Sequence, residues 1–402
     1  MACRDRQPFV RPLTHDPTLR RRLRVLLVPS AYYPHVGGIE ELTRQLVFAL
    51  EARGHAVAVL TNRWPEGVGR SETLDGVYVT RLKFPLPARR LFSAARFAAT
   101  APAATASLLR HLRRWRPDIV HVIGAGPQSV YLAALHGHLR ARLVFTAQGE
   151  LTFDAHGVFE RSATLQAGLR RMLREADAVT ACSAFVMEDL GRAAKIGGAS
   201  QVIPNGFDPG EFIGASPHEE VAPYVLAVGR LVPQKGFDVL LDAFRSERLA
   251  GLNLLIAGEG FERPRLEARM AELGLGSRIV FLGSVDRSHL AQLFKGAHVF
   301  AFPSRGEAFG IALLEAMGAG VPAVAASAGG IPEFARDGVN AVLVEPDDAE
   351  GLAAAIAMVN TDSRLRERLI AGGRKTAAEL AWSRVAIRYE DVYLAVLAGA
   401  TA

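Results

Sequence analysis

Pro303-Ser304-Arg305-Gly306-Glu307-Ala308-Phe309-Gly310-Ile311-Ala312-Leu313-Leu314-Glu315-Ala316-Met317 follows the short apolar run Val299 to Phe302 and passes from a glycine-containing loop into a helical segment. Strand, loop and helix in that order are the unit of parallel α/β sheets. Glu307 is expected just before the helix and Glu315 two turns inside it. At about 1.5 Å rise per residue their separation is roughly 12 Å along a helix axis, comparable to the span from a hexose to the ribose of a nucleoside diphosphate sugar. Phe309, Gly310 and Ile311 lie between them at the helix start, where free N–H groups and the helix dipole favour a diphosphate. Glu307 can accept hydrogen bonds from sugar hydroxyls, and Glu315 from a ribose diol. In isolation the pair would read as a capping residue and a solvated one, so the rest of the chain has to decide.

Working outward, strand-length apolar runs alternate with helical segments along the whole chain. In the first half strands are expected at Arg24 to Pro29, Val57 to Leu60, Ile119 to Ile123, Leu143 to Thr146, Ala178 to Ala181 and Val202 to Ile203, with a helix from Ile39 to about Arg53. The polar, proline-containing stretch Phe207 to Pro223 interrupts the pattern. It restarts at Tyr224 to Val228 and continues through Leu254 to Ala257, Ile279 to Leu282, Val299 to Phe302, Ala323 to Ala326 and Ala341 to Val344. Trp382 to Leu397 reads as one amphipathic helix. The expected fold class is therefore α/β, with two Rossmann-like, doubly wound domains, residues 24–208 and 223–381, facing across a cleft after a mobile basic arm of residues 1–23. Ligands of open α/β sheets bind at the carboxyl ends of strands, which directs attention to the strand-to-helix loops.

Two more such loops carry candidate residues. Val228-Gly229-Arg230-Leu231-Val232-Pro233-Gln234-Lys235-Gly236 ends the first strand of the second half with two cations. A leaving diphosphate gains charge as the glycosidic bond breaks, and fixed cations in a dry cleft stabilise it. Arg230 offers a planar fork and Lys235 a point charge. In Pro34-His35-Val36-Gly37-Gly38-Ile39-Glu40 the paired glycines, Gly37 and Gly38, permit close backbone approach at another helix start. Ala328-Gly329-Gly330-Ile331-Pro332-Glu333 and Ile203-Pro204-Asn205-Gly206 are weaker signals, each readable as an ordinary turn.

Taken together, these residues resemble the group 1, or family 4, retaining glycosyltransferases of the GT-B fold. The likeness runs through the second half, from Gly229-Arg230-Leu231 and Lys235-Gly236, through Glu307 to Glu315 and Gly329 to Glu333, to the Glu345-Pro346-Asp347-Asp348 turn. In the first half it touches Gly37-Gly38, Cys182-Ser183 and Asn205-Gly206. The resemblance implies retaining transfer in which Arg230 and Lys235 hold the diphosphate, Glu307 holds the donor sugar and Glu315 the ribose. It also implies that residues 382–402 cross back onto the N-terminal, acceptor-side domain. Many relatives carry His-Gly or His-Asp where this chain reads Thr146-Ala147-Gln148-Gly149-Glu150. Gln148 can hydrogen-bond a sugar hydroxyl but cannot titrate near neutral pH.

Composition is consistent with this reading. Half of the 402 residues are hydrophobic and 22% are charged, as in a well-packed α/β protein, and the net charge of +6 favours anionic partners. Cys3 and Cys182 are too few for a disulfide framework or a cysteine-based zinc site. No Asp-x-Asp pair is present to hold a bridging divalent ion, so a metal-independent reaction without a cofactor is expected. A complete Gly-x-Gly-x-x-Gly after a strand, a phosphate-loop Gly-Lys-Ser/Thr and a Gly-x-Ser-x-Gly elbow are all missing, which sets aside dehydrogenase, ATPase and hydrolase readings. A nucleotide-sugar epimerase or phosphorylase on the same fold, or a non-catalytic nucleotide or carbohydrate binder, remains open. So does the donor base, whether uracil, guanine or adenine.

The expected partners are a nucleotide-sugar donor and a glycan or lipid-linked acceptor in cell-surface polysaccharide or glycolipid synthesis, with no nucleic acid. No signal peptide or bilayer span is expected, since the longest run free of Asp, Glu, Lys and Arg, Ile119 to Leu139, holds three histidines and Gly124-Ala125-Gly126-Pro127. Ala88 to Arg116 carries seven arginines, from Arg89 to Arg116, and no acidic residue. Two amphipathic pieces on either side of Pro102 would present a basic and an apolar face. The expected location is cytoplasmic, peripheral on the inner face of the membrane.

Overall fold

The computed structural model describes residues 21–34, 37–65, 67–87, 91–153, 157–220 and 223–399. Most of the expected basic arm, together with Arg89 and Arg90, lies outside the described residues. Leu23 is nevertheless buried in the core, and Arg21 reaches Asp118 at 3.3 Å.

Eight strands form the first sheet: β1 (Arg24–Pro29), β2 (Ala56–Asn62), β3 (Ser71–Leu74), β4 (Val77–Leu82), β5 (Ile119–Ile123), β6 (Arg142–Ala147), β7 (Ala178–Ala181) and β8 (Ala199–Val202). Their order is β3-β4-β2-β1-β5-β6-β7-β8, and every neighbour is parallel except the β3–β4 pair. The second sheet contains β9 (Tyr224–Val228), β10 (Asn253–Ala257), β11 (Ile279–Gly283), β12 (Val299–Phe302), β13 (Ala323–Ala326) and β14 (Val342–Val344). It is entirely parallel in the order β11-β10-β9-β12-β13-β14. Helices cover both faces of each sheet, so central strands such as Val-Leu-Leu-Val in β1 are apolar on both sides. Each such Val or Leu stabilises the fold by about 1.5–3 kcal/mol.

Each sheet has one place where its strand order reverses, between β1 and β5 in the first and between β9 and β12 in the second. A crevice opens at such a switch point. The loops singled out by sequence follow β1, β9 and β12, so they stand at these two places. Gly236 makes their approach possible, since its φ of 65° suits glycine and a Cβ there would lie 2.1 Å from the Pro303 carbonyl oxygen.

The helix Trp382–Leu397 does return to the first sheet. Trp382, Val385, Tyr389, Tyr393 and Val396 share one core with Leu27, Leu46 and Leu50. At its centre the Tyr393 hydroxyl lies 2.7 Å from His121 Nδ1, and Thr146 Oγ1 lies 2.6 Å from Nε2. Complete burial holds the imidazole neutral, with its pKa lowered to about 3. The chain passes between the sheets at two adjacent points: Phe207 N–H donates to Leu380 O at 2.9 Å, and Trp382 N–H donates to Phe207 O at 3.1 Å.

The structure corrects two expectations. Leu91–Trp115 is one continuous helix through Pro102, not two pieces. Its inner face is anchored on the first sheet by Ala101, Ala104, Leu108 and Leu112, which offsets the local loss of one helical hydrogen bond. Second, the Ile311–Ala319 helix begins only after Gly310, which takes a left-handed φ of 102°, so Glu315 sits little more than one turn inside it. Glu307 is in the preceding loop, and the 12 Å axial separation does not apply.

Candidate active site

A cavity of about 1040 Å³ lies between the carboxyl ends of the two sheets. All ten residues singled out by sequence line it: Gly37, Gly38, Gln148, Arg230, Lys235, Glu307, Phe309, Gly310, Ile311 and Glu315.

On the second sheet's side the charges are mostly paired. Lys235, on the turn after β9, forms an ion pair with Glu307, which also accepts from Ser304 Oγ at 2.9 Å. The Lys235 ammonium stands 5.5 Å from the Phe302 ring centroid, a cation–π contact that fixes it further. Arg230 is exposed to the cavity and has no ion-pair partner among the described residues. Glu315 is 7% exposed, and burial raises its pKa against the pull of Arg287, whose Nη1 donates to Oε1 at 2.8 Å. The Ile311–Ala319 helix points its start at the cavity with no acidic residue in its first turn.

The first sheet's side is built from carboxylates and amides. Glu150 is half-buried, and its carboxylate accepts from Ala125 N–H at 2.9 Å and from Gln148 N–H at 3.1 Å, fixing the loops after β5 and β6 to one another. Desolvation raises the Glu150 pKa, while these backbone donors oppose it. Gln148 and Asn205 exchange side-chain hydrogen bonds of 3.3 and 3.0 Å. Each amide keeps one N–H and one lone pair for a ligand.

Contacts that the sequence reading did not reach tie the two sides together. Glu333, at the end of the Gly329-Gly330 turn, accepts from Ala184 N–H at 2.7 Å and Phe185 N–H at 2.9 Å, capping the Ala184–Ala193 helix from the opposite sheet. Ser183 Oγ donates to Ala308 O at 2.6 Å beside it. Arg287, the first residue of the helix that follows β11 (Arg287–Gly296), pairs with both Glu315 and Glu211. A strand-to-helix loop was the available signal for Arg287, whereas nothing local marks Glu211 or Glu150.

Two facing Rossmann-like sheets with a charged cavity at their switch points define the GT-B class of nucleotide-dependent transferases. Residues 36–211 match the Glycosyltransferase Family 4 domain and residues 210–376 match Glycosyl transferases group 1. A glycogen synthase of Mycobacterium tuberculosis is 30% identical, covering 94% of this chain and 96% of its own. A phosphatidyl-myo-inositol mannosyltransferase of the same organism is 30% identical over 89% of this chain and 93% of its own. The structure of sucrose-phosphate synthase from Thermosynechococcus elongatus superimposes with a TM-score of 0.79 at 24% identity, covering 94% of this chain and all of that one. The chain belongs to the group 1, family 4 retaining glycosyltransferases and is a nucleotide-sugar-dependent hexosyltransferase.

Proposed function

We propose that this enzyme moves a hexose-type sugar, with retention and without a divalent metal, from a nucleoside diphosphate to a glycan or lipid-linked acceptor in cell-surface polysaccharide or glycolipid synthesis. The observation that carries the proposal is the convergence of Arg230, Lys235, Glu307, Glu315 and a helix start on one cavity. In this reading Glu315 accepts the ribose hydroxyls, while Arg230, Lys235 and the N–H groups at Gly310 and Ile311 receive the diphosphate. Glu307 then holds the sugar. Fixed cations and N–H dipoles take the place of a bridging ion as charge grows on the leaving oxygen. Retention means that the new bond forms on the face the diphosphate leaves, so its departing oxygen is close enough to accept the acceptor's proton.

The acceptor is assigned to the first sheet's side, residues 24–208 with the 382–402 segment, and the donor to residues 223–381. Gln148, Asn205 and the Gly37-Gly38 turn on the acceptor side suit the hydroxyls of a glycan. Among the described residues, no helix is long and apolar enough to cross a membrane. A peripheral position at the inner membrane face is supported by Arg96, Arg110, Arg113, Arg114 and Arg116, exposed on and just beyond the Leu91–Trp115 helix. Since Leu108 and Leu112 face inward, this contact is electrostatic rather than inserted.

Thermal shift with UDP-, GDP- and ADP-sugars, followed by release of nucleoside diphosphate with and without acceptor, tests the proposal. A donor that stabilises the protein and is turned over with an unchanged anomeric configuration supports it. Clean inversion, or loss of all activity with EDTA, overturns the retaining or the metal-independent part.

A further inference from the structure

The Glu315 carboxylate is the buried end of a chain of polar contacts that leaves the donor side of the cavity and reaches the acceptor side. Arg287 Nη1 donates to Glu315 Oε1 at 2.8 Å, and its Nη2 pairs with Glu211. Glu211 Oε1 accepts from Gln45 Nε2 at 2.7 Å, and the same nitrogen lies 2.8 Å from Glu41 Oε1. Glu41 also accepts from the Tyr33 hydroxyl at 2.6 Å and from Arg44 Nη1 at 3.1 Å. These residues come from the loop after β1, the Gly38–Ala52 helix, the Pro209–Phe212 turn, the Arg287–Gly296 helix and the Ile311–Ala319 helix. Arg287 contacts both the donor-side carboxylate and the turn between the sheets.

Its charge matters as much as its position. The cluster holds three carboxylates, Glu41, Glu211 and Glu315, against two guanidiniums, Arg44 and Arg287. Arg44 is partly engaged by Asp75, at 3.3 Å. From the remaining neighbour of the Ile311–Ala319 helix, Arg374 meets its far end at Gly320. Removing Arg287 would leave three acids, Glu315 buried and Glu41 and Glu211 half-buried, to one cation, and the deepest of them, Glu315, would take up a proton most readily. A protonated Glu315 loses lone pairs that ribose hydroxyls need.

We infer that Arg287 is a positioning residue, which keeps Glu315 ionised and aimed at the ribose and ties it through Glu211 to the acceptor-side helix. This rests on the proposed role of Glu315 as the ribose acceptor. Its Nε–H, buried and without a hydrogen-bond partner among the described residues, is one further donor left for a ligand.

The test is calorimetric binding of UDP, GDP and ADP to the full chain at pH 6, 7 and 8, using the tightest of the three. Comparing variant with wild type at each pH cancels the nucleotide's own titration. For Arg287→Met the ratio of dissociation constants is expected to reach tenfold or more at pH 6 and to shrink towards pH 8. Arg287→Lys, which keeps the charge, should show a smaller ratio that does not change with pH. In the background of Glu315→Gln, itself weak at every pH, Arg287→Met should add less than twofold. A pH-independent ratio for Arg287→Met, or full additivity with Glu315→Gln, overturns the inference. If Arg287→Met fails to melt cooperatively, additivity of Arg287→Lys with Glu315→Gln overturns it instead. If the wild type binds none of the three nucleotides, the donor-site reading fails and this inference falls with it, a result distinct from either of the others.

Discussion

The two sides of the cavity solve different problems. In the proposed reading the second sheet's side meets a ligand whose charged part is constant, a nucleoside diphosphate, and it offers Arg230, Lys235 and a helix start within two neighbouring loops. The first sheet's side offers no lysine or arginine among its described cavity-lining residues. It presents Gln148, Asn205 and Glu150, whose geometry is set by hydrogen bonds to backbone and to one another. Charge placed on rigid loops binds a fixed anion, whereas a network of amides and loop backbones can be reshaped for a different acceptor. If the two sides are donor and acceptor sides as proposed, the difference teaches that one fold can hold its donor chemistry steady while its acceptor side changes.

Substitutions on the donor side should therefore have the largest effects. Glu315→Ala and Lys235→Ala are each expected to reduce donor binding and turnover by at least about tenfold, the scale of a lost hydrogen bond to a charged group; wild-type kinetics in either would break the comparison. Glu307→Ala should lower kcat more than it raises the Kd for free nucleoside diphosphate, because its proposed partner is the sugar. Equal loss of nucleotide affinity would move Glu307 onto the diphosphate.

On the acceptor side Glu150→Ala should free the Gln148 loop, raising the acceptor KM several-fold while donor affinity changes by less than twofold. Steady-state kinetics with each substrate varied in turn would show this, and a matching donor effect would erase the distinction between the sides.

A stability effect sharpens it further. His121 has a pKa of about 3 in the fold, below its usual 6.5, so the unfolded chain binds the proton that the folded one refuses. Stability is full above pH 6.5 and falls as the pH drops towards 3, with a slope approaching about 1.4 kcal/mol per pH unit from this group. Denaturant unfolding of wild type and His121→Gln across that window measures it, and parallel curves would exclude His121 as a source. The smallest expected effect is at the surface. Arg110, Arg113 and Arg114 changed together to Ser should weaken salt-sensitive sedimentation with anionic vesicles without altering donor affinity; a wild-type protein that does not sediment at low salt favours a soluble acceptor.

Much of this was legible in the sequence because parallel strands are buried on both faces and appear as uninterrupted apolar runs. The expected limits of β1, β5, β7, β9, β12 and β13 coincide with the observed ones. The β3–β4 hairpin was not anticipated, since Ser71-Glu72-Thr73-Leu74 is short, largely exposed and polar. Donor-side candidates could be found because each sits in a loop directly after a strand or in the helix that the loop opens. Glu211 and Gln45 could not, because their contact with one another joins segments far apart in sequence, and neither propensity nor periodicity records such a meeting.

The return of Trp382–Leu397 to the first sheet has a consequence for synthesis. The helix that completes the core around Leu27 and His121 is made after both sheets, although the strands it covers are made first. Roughly 180 residues separate β8 from that helix, which at about 5–20 residues per second is on the order of 10–40 s of translation. Through that interval one face of the first sheet waits covered only in part, by the Gly38–Ala52 helix, while one face of the second sheet packs against its own helices. The half made second is thus the half able to finish first, and a ribosome that stalls before Trp382 would hold a chain whose exposed surface is the first sheet's.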